Sequence, residues 1–506
     1  MRKNFLISTV FLLFTLSPLF SQSHKCGVTP EMGNMIRSQI IENRNELRDY
    51  VSVRSATVYL PVRFFMVANN DGSDRTSEQV ALRSLCILNE NYAEQEIQFY
   101  LKEFVNLNNS SLLEDPGSSF GYISNQMTNR YNAINIFVVN QIGDSSNGIT
   151  LAYYQPPASG PNRNDWLVAA ENYLDNFEVL THEIGHYFSL NHTFFGWETS
   201  EWENNVPAPN SHFYAGETVA TERANGSNCA TAADMMCDTP ADYLHVFDQG
   251  CSYKDNALDP TGAPINPDPQ NFMTYNNNSC NPDLYFTPDQ KDAISNSLNS
   301  SSRNYLPKNN TPNLNDITGT ATLLYPLAQN PPVAPNSVTF EWTAVPNATH
   351  YFLEIKRPGS ATLRYIVEGA NQYTVTDLVP NSNFYFWTVT PFNDYHTCAG
   401  ASNQASFKTG DFTDTNEITD LKDWNIQPNP VIKGENININ LLSNNPITLD
   451  VNVMTVTGQT ILSHKDQQFG AGNSLFEIET SGIPSGIYLV TLRTKNGFLT
   501  KRISII

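Results

Sequence analysis

The feature that most constrains this chain is a run of twelve residues, from Thr181 to His192, with three histidines and one glutamate. An α-helix turns by about 100° per residue, so His182 and His186 lie on the same face, one turn apart. Two imidazoles in that arrangement can bind one Zn²⁺ ion. Glu183 points in a different direction and is predicted to act as the general base on a water that the metal holds.

His192 lies six residues after His186, and a continuous helix would carry it to another face. We therefore expect the chain to leave the helix near Ser189 and fold back, which brings a third imidazole to the metal. Three protein ligands with one open position are typical of a catalytic zinc site. The competing interpretation is an amphipathic helix with ordinary surface or core histidines, and the third histidine at this offset disfavours it.

Further along the chain, Asn271-Phe272-Met273-Thr274-Tyr275 resembles the Met-turn that follows the third ligand in metzincin peptidases. The resemblance implies that Met273 lies beneath the three histidines and that Tyr275 hydrogen-bonds the reaction oxyanion. Taken alone, Met273 would be interpreted as a core methionine. Its place after the histidine motif and two residues before Tyr275 favours the Met-turn.

The resemblance narrows to the pappalysin-like (cytophagalysin) metzincins and covers roughly residues 56–307. The motifs that carry it are His182–Phe188, His192–Phe194, Cys237–Ala241, Phe286–Gln290 and Arg303–Leu306. It implies an α+β catalytic domain with a twisted mixed sheet, a backing helix and an active-site helix. One departure is Ser189, where the family usually has glycine. A non-glycine residue in the left-handed region costs about 1–2 kcal/mol, and Asn191 can take part of the turn.

The chain has 506 residues, and single hydrophobic cores rarely exceed about 250–300 residues, so several domains are expected. The formal net charge of −21 argues against nucleic-acid and anionic-membrane partners, which need basic patches. The predicted fold class is multidomain: an α+β metzincin domain at residues 56–308, followed by two all-β sandwich domains.

The N-terminus carries Arg2 and Lys3 and then an apolar run from Phe5 to Phe20, which predicts a secretory signal peptide at residues 1–23. No other apolar stretch is long enough to cross a membrane, so we expect no transmembrane segment in the mature chain. The protein is expected to be secreted, outside the cell or at the cell surface of a bacterium.

Residues 24–55 are polar and helix-prone and are interpreted as a prosegment. In some relatives a cysteine near the start of this segment caps the zinc of the latent enzyme, and the resemblance makes Cys26 the candidate latency switch. A thiolate is a good zinc ligand and would displace the catalytic water. A half-disulfide or a free thiol is the other interpretation of Cys26. A cut between Arg48 and Arg54 is predicted to release the segment.

Hydrophobic patterning predicts the main helices and strands of the catalytic domain. Strands are predicted at Val58–Val67, Gln98–Val105, Ile134–Val139 and Gly148–Tyr154, and helices at Glu78–Tyr92 and Glu171–Leu190. The family resemblance implies that the last of these strands lies at the sheet edge and pairs with an extended peptide. Cys86, on the first helix, is predicted to be a packed core residue.

Four cysteines, Cys229, Cys237, Cys251 and Cys280, lie in the loop-rich part of the chain that follows the histidine motif. In an exported protein they favour disulfides, and four cysteines allow three pairings that spacing does not distinguish. The family resemblance implies Cys251–Cys280, with Cys229 and Cys237 left to pair locally. A four-cysteine zinc site is the alternative, which the uneven spacing disfavours.

A Ca²⁺ site is the second metal site that the resemblance implies. Asp234, the carbonyl of Met236 and Thr239 align with the ligands of such a site in a relative. Acidic, asparagine-rich loops are compatible with Ca²⁺. Loss of the ion is expected to loosen this loop.

Beyond a linker rich in Asn, Pro and Thr at residues 309–320, the block 321–410 alternates apolar and polar residues in short runs. Trp342, expected to be buried, and the spacing from Leu378 to Tyr385 resemble a fibronectin type III sandwich. The block shows no catalytic constellation, so a spacer or a weak binding module is predicted.

After a second linker at residues 411–423, residues 424–506 resemble the C-terminal sorting domain of bacterial type IX secretion. The motifs that carry this resemblance fall in order at Gln427–Pro430, Gly458–Gln459, Ile483–Tyr488 and Thr500–Ile506. The resemblance implies that the type IX secretion machinery is a partner of the chain.

These features predict a secreted zinc-dependent endopeptidase that hydrolyses peptide bonds in proteins through a zinc-bound water activated by Glu183. Zn²⁺ is the expected cofactor, Ca²⁺ is a further candidate, and a protein or peptide is the expected substrate. The alternative is a surface-binding protein with a degenerate protease fold, which the intact histidine motif and Met273 disfavour. A gluzincin site, with a downstream glutamate in place of His192, finds no suitable second motif.

Overall fold

The computed structural model describes residues 24–506 except 48–55, 131, 144–148, 158–164, 200–201, 203–204, 245–252, 254–255, 276–283, 377, 383, 411–417, 419, 456–458 and 495–496. Four predicted features lie outside the described residues: the signal peptide, the cut between Arg48 and Arg54, Cys251 and Cys280. The chain forms two compact units. The first runs to Leu323 and includes Trp342–Asn371 and Thr388–Asn403, and the second comprises Leu324–Glu341, Gln372–Trp387 and Gln404–Ile506.

A six-stranded mixed sheet organises the first unit. Its strands are β1 (His24–Cys26), β2 (Val58–Ala68), β3 (Ile97–Asn108), β4 (Ile134–Val139), β5 (Ile149–Gln155) and β6 (Trp166–Ala170). They lie in the order β1-β5-β6-β4-β2-β3, and β5 is antiparallel to β6 while the other neighbours are parallel. Strand β4 is buried along its whole length, as expected for a parallel strand covered on both faces.

Helices pack against this sheet and supply much of its core. They are α1 (Pro30–Glu46), α2 (Glu78–Asn91), α3 (Ser110–Glu114), α4 (Phe120–Gln126), α5 (Glu171–Leu174), α6 (Val179–Tyr187) and α7 (Pro288–Asn299). Helix α7 begins with a capping box between Thr287 and Gln290. Leu85 of α2, Ile184 of α6 and Ile294 of α7 belong to the same buried cluster.

The single helix predicted over Glu171–Leu190 is wrong, because the chain forms α5 and α6 with a turn between them. In that turn the Asn176 side chain accepts a hydrogen bond from Glu178 N at 3.3 Å. Asparagine side chains compete with helical backbone hydrogen bonds in this way. The turn therefore interrupts a segment whose flanking residues are otherwise helical.

The loop-rich segment after α6 contains a short hairpin, and the middle segment of the chain is built of strands. The hairpin is β7 (Ser211–Tyr214) and β8 (Glu217–Ala220), and the middle strands are β9 (Leu323–Tyr325), β10 (Val338–Trp342), β11 (His350–Lys356), β12 (Leu363–Glu368), β13 (Gln372–Val375), β14 (Tyr385–Phe392) and β15 (Ala405–Phe407). The middle strands form sheets in the orders β13-β10-β9 and β12-β11-β14-β15. The Tyr385 hydroxyl accepts from Val379 N at 2.8 Å, a contact typical of the tyrosine corner of such sandwiches.

Cys86 is disulfide-bonded to Cys398, so its prediction as a packed core cysteine is wrong. The sequence offers no spacing rule that would join two cysteines 312 residues apart. The bond lies within the first unit, between α2 and the segment that follows β14.

The segment that follows β14, which contains Cys398, also packs on strand β3 of the six-stranded sheet. Leu101 N donates to the Asp394 carbonyl at 2.7 Å, and the Tyr395 hydroxyl donates to Gln98 Oε1 at 3.0 Å. Phe392 joins the core cluster of the first unit. Residues 342–371 and 388–403 are therefore part of the first unit, and a spacer or a weak binding module stays a prediction for the block 321–410.

The C-terminal block of the second unit is an antiparallel sandwich. Its strands are β16 (Leu421–Gln427), β17 (Asn436–Ser443), β18 (Ile447–Thr455), β19 (Thr460–Phe469), β20 (Gly472–Glu479), β21 (Gly486–Arg493) and β22 (Phe498–Ile505). They form sheets in the orders β16-β17-β20 and β19-β18-β21-β22. Alternate residues of β17 are buried, as expected for a strand with one face on a core. In the described part of the chain, no helix combines the length and apolar character that a membrane span needs.

Candidate metal centre

Helix α6 carries the first two histidines and is buried along its whole length. His182 and His186 stand one turn apart, with their Nε2 atoms 3.1 Å from each other. The Nε2 atom of His192 lies 3.2 Å from that of His186. The three nitrogens converge on one point at the end of the helix.

The turn at Ser189 brings His192 back to the helix. Ser189 has a φ of 71°, in the left-handed region, whereas Asn191 does not have a positive φ. The Ser189 hydroxyl donates to Gln39 Oε1 at 3.2 Å and accepts from Asn43 Nδ2 at 3.3 Å. These contacts offset part of the strain that a non-glycine residue has in this conformation.

His182 and His186 donate from Nδ1 to backbone carbonyls, those of Phe272 at 2.6 Å and Leu190 at 2.7 Å. Burial, together with His192, lowers the pKa of His182 to about 3. Burial lowers the pKa of His186 well below its ordinary value. Both rings are therefore neutral near pH 7 and keep a lone pair on Nε2, the form of histidine that binds metals.

His192 has a side-chain carboxylate as its partner instead of a carbonyl. Its Nδ1 atom lies 3.3 Å from Glu198 Oε1, and Gly196 N donates to Glu198 Oε2 at 2.8 Å, which holds the carboxylate. The side chains of His192 and Glu198 are 2% and 10% exposed. A carboxylate in this position orients the ring and raises the basicity of its other nitrogen. The sequence analysis did not single out Glu198.

Cys26 completes the group. Its Sγ atom lies 3.5 Å from His186 Nε2, because β1 pairs with β5 and places Cys26 opposite Ala152. In a tetrahedral zinc site, ligand nitrogens stand about 3.3–3.4 Å apart and a thiolate sulfur stands about 3.5–3.6 Å from each nitrogen. The three distances of 3.1, 3.2 and 3.5 Å are close to these values, and all four ligand atoms lie within 4.8 Å of one another.

Glu183 is buried beside this group, and its Oε2 atom has no hydrogen-bond partner among the described residues. Burial raises the pKa of Glu183 to about 8, while hydrogen bonds from Cys26 and the Tyr154 backbone lower it. A carboxyl group that titrates near neutral pH can both take up and return a proton.

Met273 is fully buried and lies against the backbone of α6 at Gly185. A Cβ atom at Gly185 would stand only 2.5 Å from Met273 Sδ, so glycine is what permits the close approach. The Met273 carbonyl accepts from Thr193 N at 3.2 Å. The segment after the third histidine is thus bonded to the Met273 turn.

Tyr275 lies beside His192 and Phe194, next to the histidine group. Its ring centroid is 5.2 Å from that of His192 and 4.7 Å from that of Phe194. The hydroxyl donates to the Cys26 carbonyl at 3.4 Å. Burial and the Cys26 thiol raise the pKa of Tyr275, so its hydroxyl stays protonated and acts as a donor.

Helix α1 attaches the N-terminal segment to the loop after the hairpin. Arg37 Nη2 donates to the Thr231 carbonyl at 2.6 Å, and Arg44 Nη2 donates to the Met235 carbonyl at 2.7 Å. Arg37 also lies over the Phe195 ring, 5.5 Å from its centroid. The segment is therefore held by α1 as well as by β1.

The structure brings Asp234, Met236 and Thr239 together. The Thr239 hydroxyl donates to Asp234 Oδ2 at 3.1 Å and lies 3.3 Å from the Met236 carbonyl oxygen. A disulfide between Cys229 and Cys237 closes the same loop.

A second buried carboxylate, Glu222, belongs to this region, and its Oε2 atom has no partner among the described residues. Burial, Asp234 and Asp242 raise the pKa of Glu222. Burial also raises the pKa of Asp234. Burial disfavours the charged forms of both carboxyl groups. A bound cation would stabilise those charged forms.

Comparison with known families locates a sorting domain in the chain. Residues 425–506 match the model of the secretion system C-terminal sorting domain. This domain and the relatives described next support the expected location, so the chain is a secreted or cell-surface protein.

Similar proteins include three fungal extracellular metalloproteases. That of Sordaria macrospora is 28% identical over 209 residues, which are 38% of this chain and 67% of the relative. That of Neurospora crassa is 28% identical over 224 residues, 39% of this chain and 69% of the relative. That of Colletotrichum graminicola is 23% identical over 230 residues, 43% and 76% of the two chains. These relatives support a secreted metalloprotease as the general class of the chain.

A solved structure of chicken CNTN1 FN1-FN3 domains covers 39% of this chain and 66% of that chain. Its sequence identity is 14% and its TM-score is 0.15, so this likeness carries no conclusion about the fold.

Proposed function

We propose that this chain is the latent precursor of a secreted zinc endopeptidase of the pappalysin-like metzincin class. The observation that carries the proposal is the convergence of the Nε2 atoms of His182, His186 and His192 beside the buried Glu183. Three imidazoles whose Nε2 atoms lie at these distances suit a catalytic zinc ion. The metalloproteases with similar sequences support the same general class.

Glu183 is the proposed general base. It takes a proton from the attacking water and later gives that proton to the leaving amine. Burial raises the pKa of its carboxyl group in the precursor, which favours uptake of a proton. Its Oε2 atom, which has no partner among the described residues, is available for the incoming proton.

When bound, Zn²⁺ supplies a Lewis acid that polarises the scissile carbonyl and lowers the pKa of water. Tyr275 is proposed to donate its hydroxyl proton in a hydrogen bond to the oxygen that gains negative charge in the transition state. Met273 is proposed to support the histidines from the side of Gly185, where its thioether packs on the helix backbone.

Strand β5 is proposed to bind the backbone of a protein or peptide substrate at the edge that becomes free when the prosegment is removed. In the precursor β1 occupies that edge, in the register His24 with Ile149 and Cys26 with Ala152. A substrate that uses the same edge therefore competes with the prosegment. Cys26 is proposed to be the latency switch, with its thiolate as the fourth ligand of the zinc.

A Ca²⁺ ion is the proposed counter-charge of the loop that contains Asp234, the Met236 carbonyl and Thr239. The buried and unpaired carboxylate oxygen of Glu222 supports a cation in this region. The ion would stabilise the loop and take no part in hydrolysis.

Export through the bacterial type IX secretion machinery is proposed from the sorting domain. We also propose the domain limits given above, a prosegment at 24–55, a catalytic domain at 56–308, a fibronectin-like domain at 321–410 and a sorting domain at 424–506. Residues 342–371 and 388–403 belong to the first compact unit, so the proposed catalytic and fibronectin-like domains are not independent of each other.

The test uses the purified full chain and the Glu183→Ala variant. We expect about one zinc per chain in both proteins, and cleavage of an unfolded protein such as casein only by the wild type after its prosegment is removed. A chelator should abolish the cleavage, and the exposed Glu217→Ala variant should retain it. Full activity of Glu183→Ala would contradict the assigned base. Zinc binding without any cleavage by the wild type would favour a binding protein with an inactive protease fold.

A further inference from the structure

Asp242 is a buried carboxylate, 1% exposed, that the proposed mechanism does not use. Its Oδ2 atom accepts from the Thr193 hydroxyl at 2.7 Å and from the Thr274 hydroxyl at 3.2 Å. Its Oδ1 atom accepts from Leu244 N at 3.1 Å. One oxygen of this carboxylate thus joins two segments that are far apart in the chain.

The two threonines have particular neighbours. Thr193 directly follows His192, and Thr274 lies between Met273 and Tyr275. Both threonine hydroxyls donate to the same Oδ2 atom of Asp242. The carboxylate therefore fixes the third histidine and the tyrosine relative to each other.

His192 needs support from outside α6 because, unlike the other two histidines, it does not lie on that helix. His182 and His186 lie on α6, whose backbone hydrogen bonds fix their positions. His192 lies beyond the helix, and its turn is held from outside by Glu198 at the ring and by Thr193 at the backbone. A buried carboxylate is costly unless its hydrogen bonds compensate for lost hydration, and here the compensating donors include both threonines.

We infer that Asp242 is a positioning residue that aligns His192 and Tyr275 with the helix that carries the other two histidines. The inference rests on the proposed function, since it assigns a role within that site. Each threonine transmits the support of Asp242 to a different residue of the site. Thr193 supports the metal ligand, and Thr274 supports the group that is proposed to contact the oxyanion.

Three variants test the inference: Asp242→Asn, Thr193→Val and Thr274→Val. Each is prepared as the full chain, its prosegment is removed, and the mass is verified before zinc affinity, kcat, KM and melting temperature are measured. We expect Thr193→Val to weaken zinc binding by about 10-fold, the lower end of the range for residues that support a ligand. We expect Thr274→Val to keep the wild-type zinc affinity and to lose about 10-fold in kcat with KM unchanged. Asp242→Asn should show both losses.

Asp259→Asn is the matched control. Asp259 is also buried, but its Oδ1 atom accepts from Thr261 and Ala263 in its own turn and its Oδ2 atom accepts from Ala224 N, and none of these residues adjoins a histidine of the group or Tyr275. This variant should lower the melting temperature and keep both zinc affinity and kcat.

Two results would overturn the inference. If Asp242→Asn and both valine variants lower only the melting temperature, as the control does, then Asp242 is merely structural. If the wild type itself binds no zinc or cleaves no peptide, the proposed function fails, and the role of Asp242 fails with it. The wild-type measurement therefore separates the two failures, and the conservative valine variants decide the matter if Asp242→Asn does not fold.

Discussion

The Cys26 sulfur and the Nε2 atom of His186 are 3.5 Å apart, although 160 residues separate them in the chain. The thiol reaches the histidines because β1 is added to the edge of β5. The same strand that covers the edge therefore also covers the metal centre.

Replacement of Cys26 by alanine should remove latency. Without the thiolate the fourth ligand position opens to water, so the precursor should cleave itself and a casein substrate without a lag. The measurement is a time course of cleavage by freshly purified Cys26→Ala and wild-type precursors. A Cys26→Ala precursor as latent as the wild type would contradict the role of the thiol.

Gly27→Ala should weaken the hold of the prosegment while leaving the thiol in place. A Cβ atom at Gly27 would stand 2.6 Å from Thr150 Cγ2 and 3.2 Å from Tyr153 Cβ, so either β1 or these side chains must shift, and the pairing of β1 with β5 is strained. We expect faster self-activation than in the wild type, measured by the appearance of the shortened chain. Gly121→Ala, where a Cβ atom meets nothing within 4 Å, is the control.

Glu198→Gln should lower the affinity for zinc. The amide keeps the size of the carboxylate but loses the charge that holds the Nδ1 proton of His192. Changes of this kind typically cost about 10–100-fold in metal affinity. Competition with a fluorescent chelator measures the effect, and Glu217→Gln, at an exposed position, should match the wild type. Equal zinc affinities of the wild type, Glu198→Gln and Glu217→Gln would show that Glu198 does not support zinc binding.

The buried carboxyl groups of Glu222 and Asp234 predict a link between pH and calcium. Burial raises the pKa of both groups, so the folded protein binds more protons than the unfolded chain above the ordinary carboxyl range of about pH 4. Stability without calcium should therefore fall as the pH rises from about 5 to 8.

Calcium should reverse that fall, because the ion takes the place of the protons. Melting temperatures with Ca²⁺ or EGTA at both pH values test this, and the gain from Ca²⁺ should be larger at the higher pH. Glu222→Gln should reduce the pH dependence. A Ca²⁺ effect that is absent at both pH values would exclude the ion from this loop.

Removal of the Cys86–Cys398 disulfide should destabilise the first unit. Cross-links that close long loops stabilise most in the chain-entropy view, and losing one costs about 2–5 kcal/mol. We expect Cys86→Ser with Cys398→Ser to lower the free energy of unfolding more than Cys229→Ser with Cys237→Ser, because the two sequence separations are 312 and 8. Denaturant unfolding measures both. A smaller loss for the first pair would contradict the prediction.

Local patterns made the clustering of the three histidines predictable. The spacing of His182 and His186 acts through helix geometry, and the turn that returns His192 occurs at Ser189, where it was expected. The strands from Val58 and Ile134 were likewise predictable, because long apolar runs bounded by turns favour strands.

Contacts between distant segments were not predictable. Glu198 lies close to His192 in sequence, but no helix or strand period links the two side chains. Asp242 meets Thr193 and Thr274 only because three loops fold together. The break before α6 could have been found, since Asp175-Asn176 is a turn-forming pair inside the helical pattern.

The Cys86–Cys398 bond reaches across the stretch at residues 309–320. If the backbone is nicked there, the two fragments remain one covalent molecule until a reductant is added. On a gel such a sample would run as a single band without dithiothreitol and as two bands with it. A secreted or cell-surface protein cut at this stretch would keep both fragments joined by the Cys86–Cys398 bond.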